Sequence, residues 1–269
     1  MIDGLCNESG RIGVLAIDHR DSLRAVIAPD DPAGVGRDEI VSLKREIITG
    51  LADAATGVML EPEYSIPDLV GILPEGVGFT AALESQGYSN DPSGQPTELL
   101  EGWSAAQAAA SGAAATKLLA YYSPAAEDHA EAQRRVITEA IEQSHAAGLP
   151  LLLEPLAFPG GEHGPDTIAA VSSTVELGAD LMKVAWPGFD HLDALVEALD
   201  GRPWVLLSGG GDFEDYLAQV EAAVERGCVG FMAGRAVWRE ASVAEAQDRG
   251  EVLAAVARSR LERLRAVID

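Results

Sequence analysis

The sequence predicts a (β/α)8 barrel. Apolar runs typical of buried strands recur along the chain, helical patterns separate them, and the whole has 269 residues. Alternating strands and helices indicate a parallel sheet with right-handed crossovers, and eight such units in about 250 residues is the usual size of this barrel. A doubly wound sheet is the alternative, but no GxGxxG motif follows the first strand, which weakens a dinucleotide-binding version. We therefore expect one domain over residues 1–269.

Eight segments have the length and apolar character of buried strands. They are residues 13–18, 57–60, 78–83, 116–121, 151–154, 181–184, 204–207 and 230–233. Helical patterns with start and stop signals lie between them, including residues 37–53, 127–147, 212–226 and 251–267. The last of these helices is expected to close the barrel wall or to contact a neighbouring subunit, as in a homo-oligomer. Residues 88–97, rich in Pro, Ser, Asn and Gly, are expected to form an exposed loop.

The composition argues against several classes of function. The net charge of -24 disfavours nucleic acid and anionic membranes, because both require clustered Lys and Arg. No run of about 18 apolar residues is present, and the chain start has neither region of a secretory signal. The two cysteines, Cys6 and Cys228, form no CxxC motif. We therefore expect a cytoplasmic protein without a structural zinc site.

Lys183 is the first candidate catalytic residue. It lies in the apolar segment LMKVAWP at residues 181–187. A buried ammonium group is costly, because desolvation favours the neutral amine, and a neutral amine is a nucleophile toward carbonyl groups. We expect Lys183 to form a Schiff base. The alternative is a surface lysine whose stem covers apolar neighbours.

Polar residues follow the other predicted strands too, at the end of the barrel where catalytic residues of this fold lie. Lys117 is expected to tune the charge of Lys183 or to bind substrate, and an ion pair with Glu154 is the alternative. Glu154 follows three leucines, so we expect burial to raise its pKa toward a value useful in acid–base catalysis. Asp18 is a further carboxylate that could orient the lysine or relay protons. The other candidates, which we expect to contact substrate, are His19, Arg20 and Glu61. For the histidine, a structural hydrogen bond is equally compatible.

Two glycine-containing turns, after the seventh and eighth strands, predict a phosphate site. The first, SGGGD at residues 208–212, leads into a helix that Asp212 is expected to cap. Glycines let backbone N–H groups approach a phosphate, and an arginine adds a fork of donors suited to its oxygens. A phosphate site between these two loops is common in (β/α)8 barrels, and ordinary turn chemistry is the alternative. The residues expected to bind are Ser208, Gly209, Gly210, Gly234 and Arg235.

Six motifs, in order over nearly the whole chain, resemble those of the tagatose-1,6-bisphosphate aldolase family, whose relatives include sulfofructose-phosphate aldolases. The motifs are LAIDHR at residues 15–20, LEPEY at 60–64, KLLAYY at 117–122, LEPL at 153–156, KV at 183–184 and LSGG at 207–210. The resemblance implies a class I, metal-independent aldolase without a cofactor. Such an enzyme cleaves a ketose 1-phosphate into dihydroxyacetone phosphate and an aldehyde. The resemblance further implies that Lys183 forms the Schiff base, that Glu154 handles protons and that Lys117 assists. The phosphate would be held by Ser208, Gly210, Gly234 and Arg235.

The first motif departs from the family pattern. It usually contains Asp-Gln-Arg, whereas this chain has Asp18-His19-Arg20. That form, with VGFMAGR at residues 229–235, is more similar to the aldolase domain that acts on deoxyketogluconate phosphate in inositol breakdown. The group at the far end of the sugar therefore stays open among phosphate, sulfonate, carboxylate and hydroxyl.

Two other functions are compatible with the same residues. A sugar-phosphate isomerase or epimerase would use Glu154 and Asp18 for proton transfer, with Lys183 as an electrostatic aid. A metabolite-sensing regulator would keep the fold and the phosphate site without turnover.

Overall fold

Eight parallel strands form a closed barrel, which confirms the predicted fold class. The structure, a computed structural model, describes residues 2, 4–85, 96–123, 126–157 and 163–269. Each strand pairs with the next in chain order, and the first strand pairs with the last to close the sheet. The strands are β1 (Ile12–Ala16), β2 (Gly57–Leu60), β3 (Gly78–Ala82), β4 (Ala115–Tyr122), β5 (Leu151–Ala157), β6 (Leu181–Val184), β7 (Trp204–Leu207) and β8 (Gly230–Ala233).

Helices connect the strands and surround the barrel. They are α1 (Asp21–Ile27), α2 (Arg37–Leu51), α3 (Ile66–Leu69), α4 (Ala105–Ala110), α5 (Glu127–Ala146), α6 (His163–Thr174), α7 (Leu192–Ala198), α8 (Phe213–Val224), α9 (Arg235–Val243), α10 (Arg249–Val252) and α11 (Arg258–Ile268). A π-helical turn, Leu253–Ala257, joins the last two. Within the described ranges, no helix has the length and hydropathy needed to cross a membrane.

The predicted elements match the observed ones closely, and the differences have local causes. The bounds predicted for β2, β6, β7 and β8 are those observed. β5 runs three residues beyond its predicted end because it pairs with β4 as far as Ala157. Asp212 caps α8 as predicted, since its carboxylate accepts hydrogen bonds from the backbone N–H groups of Glu214 (2.8 Å) and Asp215 (3.3 Å).

The predicted loop at residues 88–97 lies largely outside the described residues. Of its positions the structure describes 96 and 97. Thr97 is buried. Its hydroxyl accepts a hydrogen bond from the backbone N–H of Tyr121, and its own N–H donates to Gln133, so both groups have partners inside the protein. The prediction of an exposed loop is therefore wrong at this residue.

Side chains alternate between two hydrophobic layers along each strand, as a pleated sheet requires. One set packs between the barrel and the helices, for example Leu118 and Ala120 on β4. The other set fills the barrel interior, for example Val14, Leu152 and Val205. The interior packing occupies the N-terminal end of the barrel. The inward positions nearer the C-terminal strand ends hold charged groups instead, and these form the site.

Candidate active site

A cavity of about 370 Å³ opens at the C-terminal end of the barrel. Side chains and loops from six strands line it. Ten of the twelve residues predicted to form the site line this cavity. The ten are Asp18, His19, Lys117, Glu154, Lys183, Ser208, Gly209, Gly210, Gly234 and Arg235. Most of the predicted residues therefore lie around one cavity.

Lys183 projects from β6 into this cavity and is only 6% exposed. Its Nζ donates to Oε2 of Glu154 at 2.8 Å and lies 3.8 Å from Sδ of Met59. Among the described residues, Glu154 is the carboxylate paired with it. The amine of Lys183 therefore contacts one proton acceptor and one thioether. Lys183 is not the surface lysine that was considered as the alternative.

Lys117 has a different environment from Lys183. Its Nζ lies 2.6 Å from Glu84 Oε1, 3.0 Å from Asp18 Oδ2 and 3.3 Å from Glu154 Oε2. An ammonium group has three N–H donors, so carboxylates surround this one. Lys117 therefore links Asp18 to Glu154, and the ion pair with Glu154 that was the alternative interpretation of Lys117 is present. Its expected role in tuning the charge of Lys183 stays a prediction.

The two carboxylates that line the cavity are ionised. Burial alone would raise the pKa of the Glu154 carboxyl, but Lys183 and Lys117 lower it below its usual range. The same balance lowers the pKa of Asp18, again mainly through the two lysines. The expected upward shift for Glu154 is therefore wrong, because the neighbouring ammonium groups outweigh desolvation. Glu154 is a proton acceptor at neutral pH.

The glycine loops form the opposite part of the lining. The Ser208 hydroxyl accepts a hydrogen bond from Gly234 N–H at 3.3 Å, which joins the β7 and β8 loops. Gly210 has φ +78°, and a Cβ there would lie 3.2 Å from Nε of Arg235. Both the backbone conformation and the close approach therefore favour glycine.

Arg235 begins α9 and lies between these loops. Burial lowers the pKa of its guanidinium, and its Nε is buried without a hydrogen-bond partner in the described part of the chain. No described carboxylate forms an ion pair with it, whereas many other arginines of this acidic protein have one. An unsatisfied buried donor at a glycine-rich loop is suited to an anionic ligand.

His19 lies beside the same loops. Its ring packs edge-on against Trp238 with centroids 5.2 Å apart, and a Cβ on Gly234 would lie 2.8 Å from its Cε1. Burial lowers the pKa of this imidazole to about 3, against the opposing effect of Asp18. His19 is therefore neutral and offers hydrogen bonding, not charge.

The structure does not place Arg20 and Glu61 in the lining of the cavity. Arg20 is 1% exposed and donates to Glu63 Oε2 and to the backbone oxygen of Glu84, both at 2.6 Å. Glu61 is fully buried and pairs with Lys44 at 2.5 Å. The chain turns directly after β2, and Glu61 accepts the N–H groups of that turn. Both residues hold strand-end loops in place.

The sequence analysis missed Glu84, which binds Lys117 and the backbone N–H of Leu119. A signal was present, because Glu84 follows the apolar end of the third strand just as Glu154 ends the fifth. Among the described residues, no group of three or more His, Cys, Asp or Glu side chains could hold a metal ion.

The model of the DeoC/LacD family aldolase matches residues 12–240 of the chain. The chain belongs to the DeoC/LacD family of aldolases. It is therefore a lyase, and the cavity at the strand ends is the candidate active site of this aldolase.

Relatives and solved structures extend the comparison. Tagatose 1,6-diphosphate aldolase 2 of Streptococcus pyogenes serotype M1 is 26% identical over 264 residues, which covers 85% of this chain and 80% of the relative. The tagatose 1,6-diphosphate aldolase of Staphylococcus haemolyticus is 26% identical over 274 residues, or 88% and 83%. An archaeal fructose-1,6-bisphosphate aldolase was solved with its catalytic lysine covalently bound to the carbinolamine intermediate of its substrate. It matches with a TM-score of 0.60 and 21% identity over 96% of both chains, which shows the shared fold.

Proposed function

We propose that this aldolase is of class I and that Lys183 forms a Schiff base with a ketose 1-phosphate. The products are dihydroxyacetone phosphate and an aldehyde. The observation that supports this most directly is the contrast between the two cavity lysines. Lys117 is surrounded by three carboxylates, whereas Lys183 contacts Glu154 alone among the described carboxylates. Lys183 is thus the amine that can transfer its proton and attack a carbonyl.

The phosphate of the substrate binds at the glycine loops. Gly209 and Gly210 have positive φ angles and leave room for a ligand to approach the backbone. Ser208 adds a hydroxyl, and Arg235 adds a guanidinium whose Nε has no described partner. The curated relatives are named for a 1,6-diphosphate sugar, which supports a phosphorylated ketose as the substrate class.

Glu154 starts the reaction by taking a proton from Lys183, which lies 2.8 Å away. The neutral amine adds to the ketose carbonyl to give a carbinolamine. Glu154 then returns the proton to the departing hydroxyl, and water leaves as the iminium forms. Asp18 and Glu84 stay paired with Lys117 throughout and keep the surroundings of the iminium anionic.

The iminium next accepts the electrons of the C3–C4 bond. Glu154 removes the proton of the C4 hydroxyl, the bond breaks, and the aldehyde leaves with an enamine remaining on Lys183. Glu154 returns the same proton to C3, and water hydrolyses the resulting iminium to dihydroxyacetone phosphate. The sum of these steps splits one ketose phosphate into two products without any other reactant.

Borohydride trapping tests this function with unusual clarity, because the sequence contains just three lysines, Lys44, Lys117 and Lys183. All three are buried. Incubation with dihydroxyacetone phosphate and borohydride should add the reduced three-carbon phosphate to Lys183, as located by peptide mass spectrometry. The variants Lys183→Arg and Lys183→Met should show no adduct and no cleavage. The arginine variant keeps the cation beside Glu154 but cannot form the imine.

An adduct on Lys117 or on no lysine would overturn the role of Lys183. Turnover that survives in Lys183→Arg would indicate an electrostatic role, as in the isomerase alternative. An adduct on Lys183 without cleavage of any ketose phosphate would indicate a sensor. Thermal unfolding of both variants controls for loss of fold.

A further inference from the structure

The wall of the cavity opposite Arg235 is formed by uncharged side chains. In the closed strand order, β4 is four strands from β8 in either direction, so it faces the strand that leads into Arg235. Toward the outer ends of β4 and β5, the lining consists of Leu119, Tyr121 and Leu156. We call these three residues the far wall. Leu119 and Tyr121 follow Lys117 on β4, and Leu156 follows Glu154 on β5, so each lies nearer the strand end than the charged residue of its own strand.

The segments that follow the eight strands hold almost no cations. These segments are residues 17–20, 61–65, 83–104, 123–126, 158–162, 185–191, 208–212 and 234. Arg20 is the sole Lys or Arg in this set, and the sequence alone establishes this for every position. Its guanidinium is buried against Glu63 and the backbone of Glu84. None of these segments can therefore supply the far wall with a lysine or an unpaired arginine.

The helices nearest the far wall also disfavour an anion. The N-terminus of a helix attracts negative charge, but the first turn of α5 already contains Glu127 and Asp128. The first turn of α6 contains Asp166. By contrast, the first turn of α9, beside the glycine loops, contains no acidic residue and begins with Arg235. Favourable sites for an anion are thus concentrated at one end of the cavity.

We propose that the far end of the sugar, which leaves as the aldehyde, lies against the far wall and carries no charge. The proposal rests on the proposed function and narrows its substrate class to ketose 1-monophosphates that end in a hydroxymethyl or methyl group. Leu119 and Leu156 contact the carbon chain, and the Tyr121 hydroxyl binds a sugar hydroxyl. Lys117 and Arg235 both act electrostatically on Tyr121, but three carboxylates surround Lys117 and the phosphate of the proposed substrate engages Arg235. A second phosphate, a sulfonate or a carboxylate would therefore be desolvated there without a cation of its own, in a protein of net charge -24. The substrate thus differs from the 1,6-diphosphate for which the curated relatives are named.

Aldol synthesis from dihydroxyacetone phosphate tests this directly, because the acceptor aldehyde becomes the far end of the sugar. The acceptors are glyceraldehyde and lactaldehyde on one side, and glyceraldehyde 3-phosphate and 3-sulfolactaldehyde on the other. The assay is run at pH 8, where an ordinary histidine is neutral. We expect kcat/KM to be higher for the neutral acceptors by about tenfold or more. A charged acceptor would lack one charge-assisted hydrogen bond at the far wall, and a loss of that size corresponds to this ratio.

A gained cation should reverse the preference. Leu156→Arg should raise kcat/KM for glyceraldehyde 3-phosphate relative to glyceraldehyde by about tenfold, and Leu156→Gln, matched in polarity but uncharged, should not. An equal or higher wild-type kcat/KM with the phosphorylated or sulfonated acceptor would overturn the proposal. So would a Leu156→Arg variant whose relative preference does not change. Borohydride trapping at Lys183 distinguishes failure of this proposal from failure of the proposed function. If trapping succeeds and the charged acceptor is preferred, only the assignment of an uncharged far end is wrong. If trapping fails, the Schiff-base function is wrong.

Discussion

Glu154 contacts both lysines of the cavity through one oxygen, at 2.8 Å from Lys183 Nζ and 3.3 Å from Lys117 Nζ. A carboxylate in this position can exchange a proton with the reacting nitrogen and with a substrate bound above it. Since the two ammonium groups lower its pKa, it begins the cycle as a base. Its role as the acid in later steps depends on the proton that it has just received.

Glu154→Gln should lower kcat by about a hundredfold or more, because an amide keeps the hydrogen-bonding shape but cannot exchange the proton. KM for the ketose phosphate should change much less, since the phosphate contacts remain. Steady-state kinetics of cleavage measures both parameters. The matched control is Glu84→Gln, which also removes one carboxylate from Lys117 but lies outside the cavity lining. Equal losses of kcat in the two variants would mean that Glu154 acts through the charge of Lys117 alone.

The sequence predicted which residues meet at this site but not their electrostatics. Lys183 and Glu154 could be found because each ends an apolar strand, and the barrel brings strand ends together. The direction of the pKa shift of Glu154 could not be predicted, because it depends on two ammonium groups that are distant in sequence. Glu61 obeys the same strand-end pattern and was also expected in the site. The turn after β2 directs it to Lys44 instead.

At the level of elements, α9 and the β7–α8 loop together form the proposed phosphate site. α9 starts at Arg235, and Arg239 follows one turn later on the same helix. Both arginines line a smaller cavity beside Gly210 and Gly211. Like charges one turn apart at a helix N-terminus are unfavourable for the helix, so their placement is better explained by an anion than by helix stability.

Arg235→Ala should raise KM for the ketose phosphate by about tenfold to a hundredfold, the value of lost hydrogen bonds between charged groups. Its kcat should fall far less, because the group does not touch the reacting carbons. Arg239→Ala should give a smaller increase that disappears at high salt. The matched control is Arg202→Ala, which removes the same charge just before β7, at the opposite end of the barrel. An unchanged KM in Arg235→Ala would exclude it as a phosphate ligand.

Element bounds were predictable where the chain itself marks them. β7 follows the Gly-Arg-Pro turn at residues 201–203 and precedes three glycines, and its predicted ends are correct. β5 was predicted too short, because residues 155–157 have no strong strand signal and are held by pairing with β4. The last predicted helix is α10, a π-helical turn and α11 in succession. A hydrophobic pattern does not distinguish these from one continuous helix.

For the whole molecule, the buried neutral His19 makes stability depend on pH. Its pKa is about 3 in the folded protein and near 6.5 when unfolded. Its contribution to stability is therefore complete above pH 6.5 and is lost as the pH falls toward 3, by about 1.4 kcal/mol per unit. Asp18 opposes this shift, and burial and Arg235 favour it.

When the pH is lowered from 6.5 to 5, the free energy of unfolding of the wild type should fall by about 2 kcal/mol more than that of His19→Gln. The window lies above the usual range of carboxyl groups, so it isolates the histidine. Urea unfolding at the two pH values gives the difference directly. Identical slopes for the two proteins would show that His19 titrates normally in the folded state.

The burial of all three lysines has a consequence for an enzyme that releases an aldehyde. Free aldehydes condense with exposed amines. An enzyme that produces an aldehyde releases it next to its own surface, so its own amines are exposed to the product. In this chain the exposed cations are arginines, whose guanidinium groups stay protonated and do not form imines under these conditions. Outside the cavity its lysines thus offer the product no exposed side-chain amine, so the lysine side chains resist modification by the compound that the active site produces.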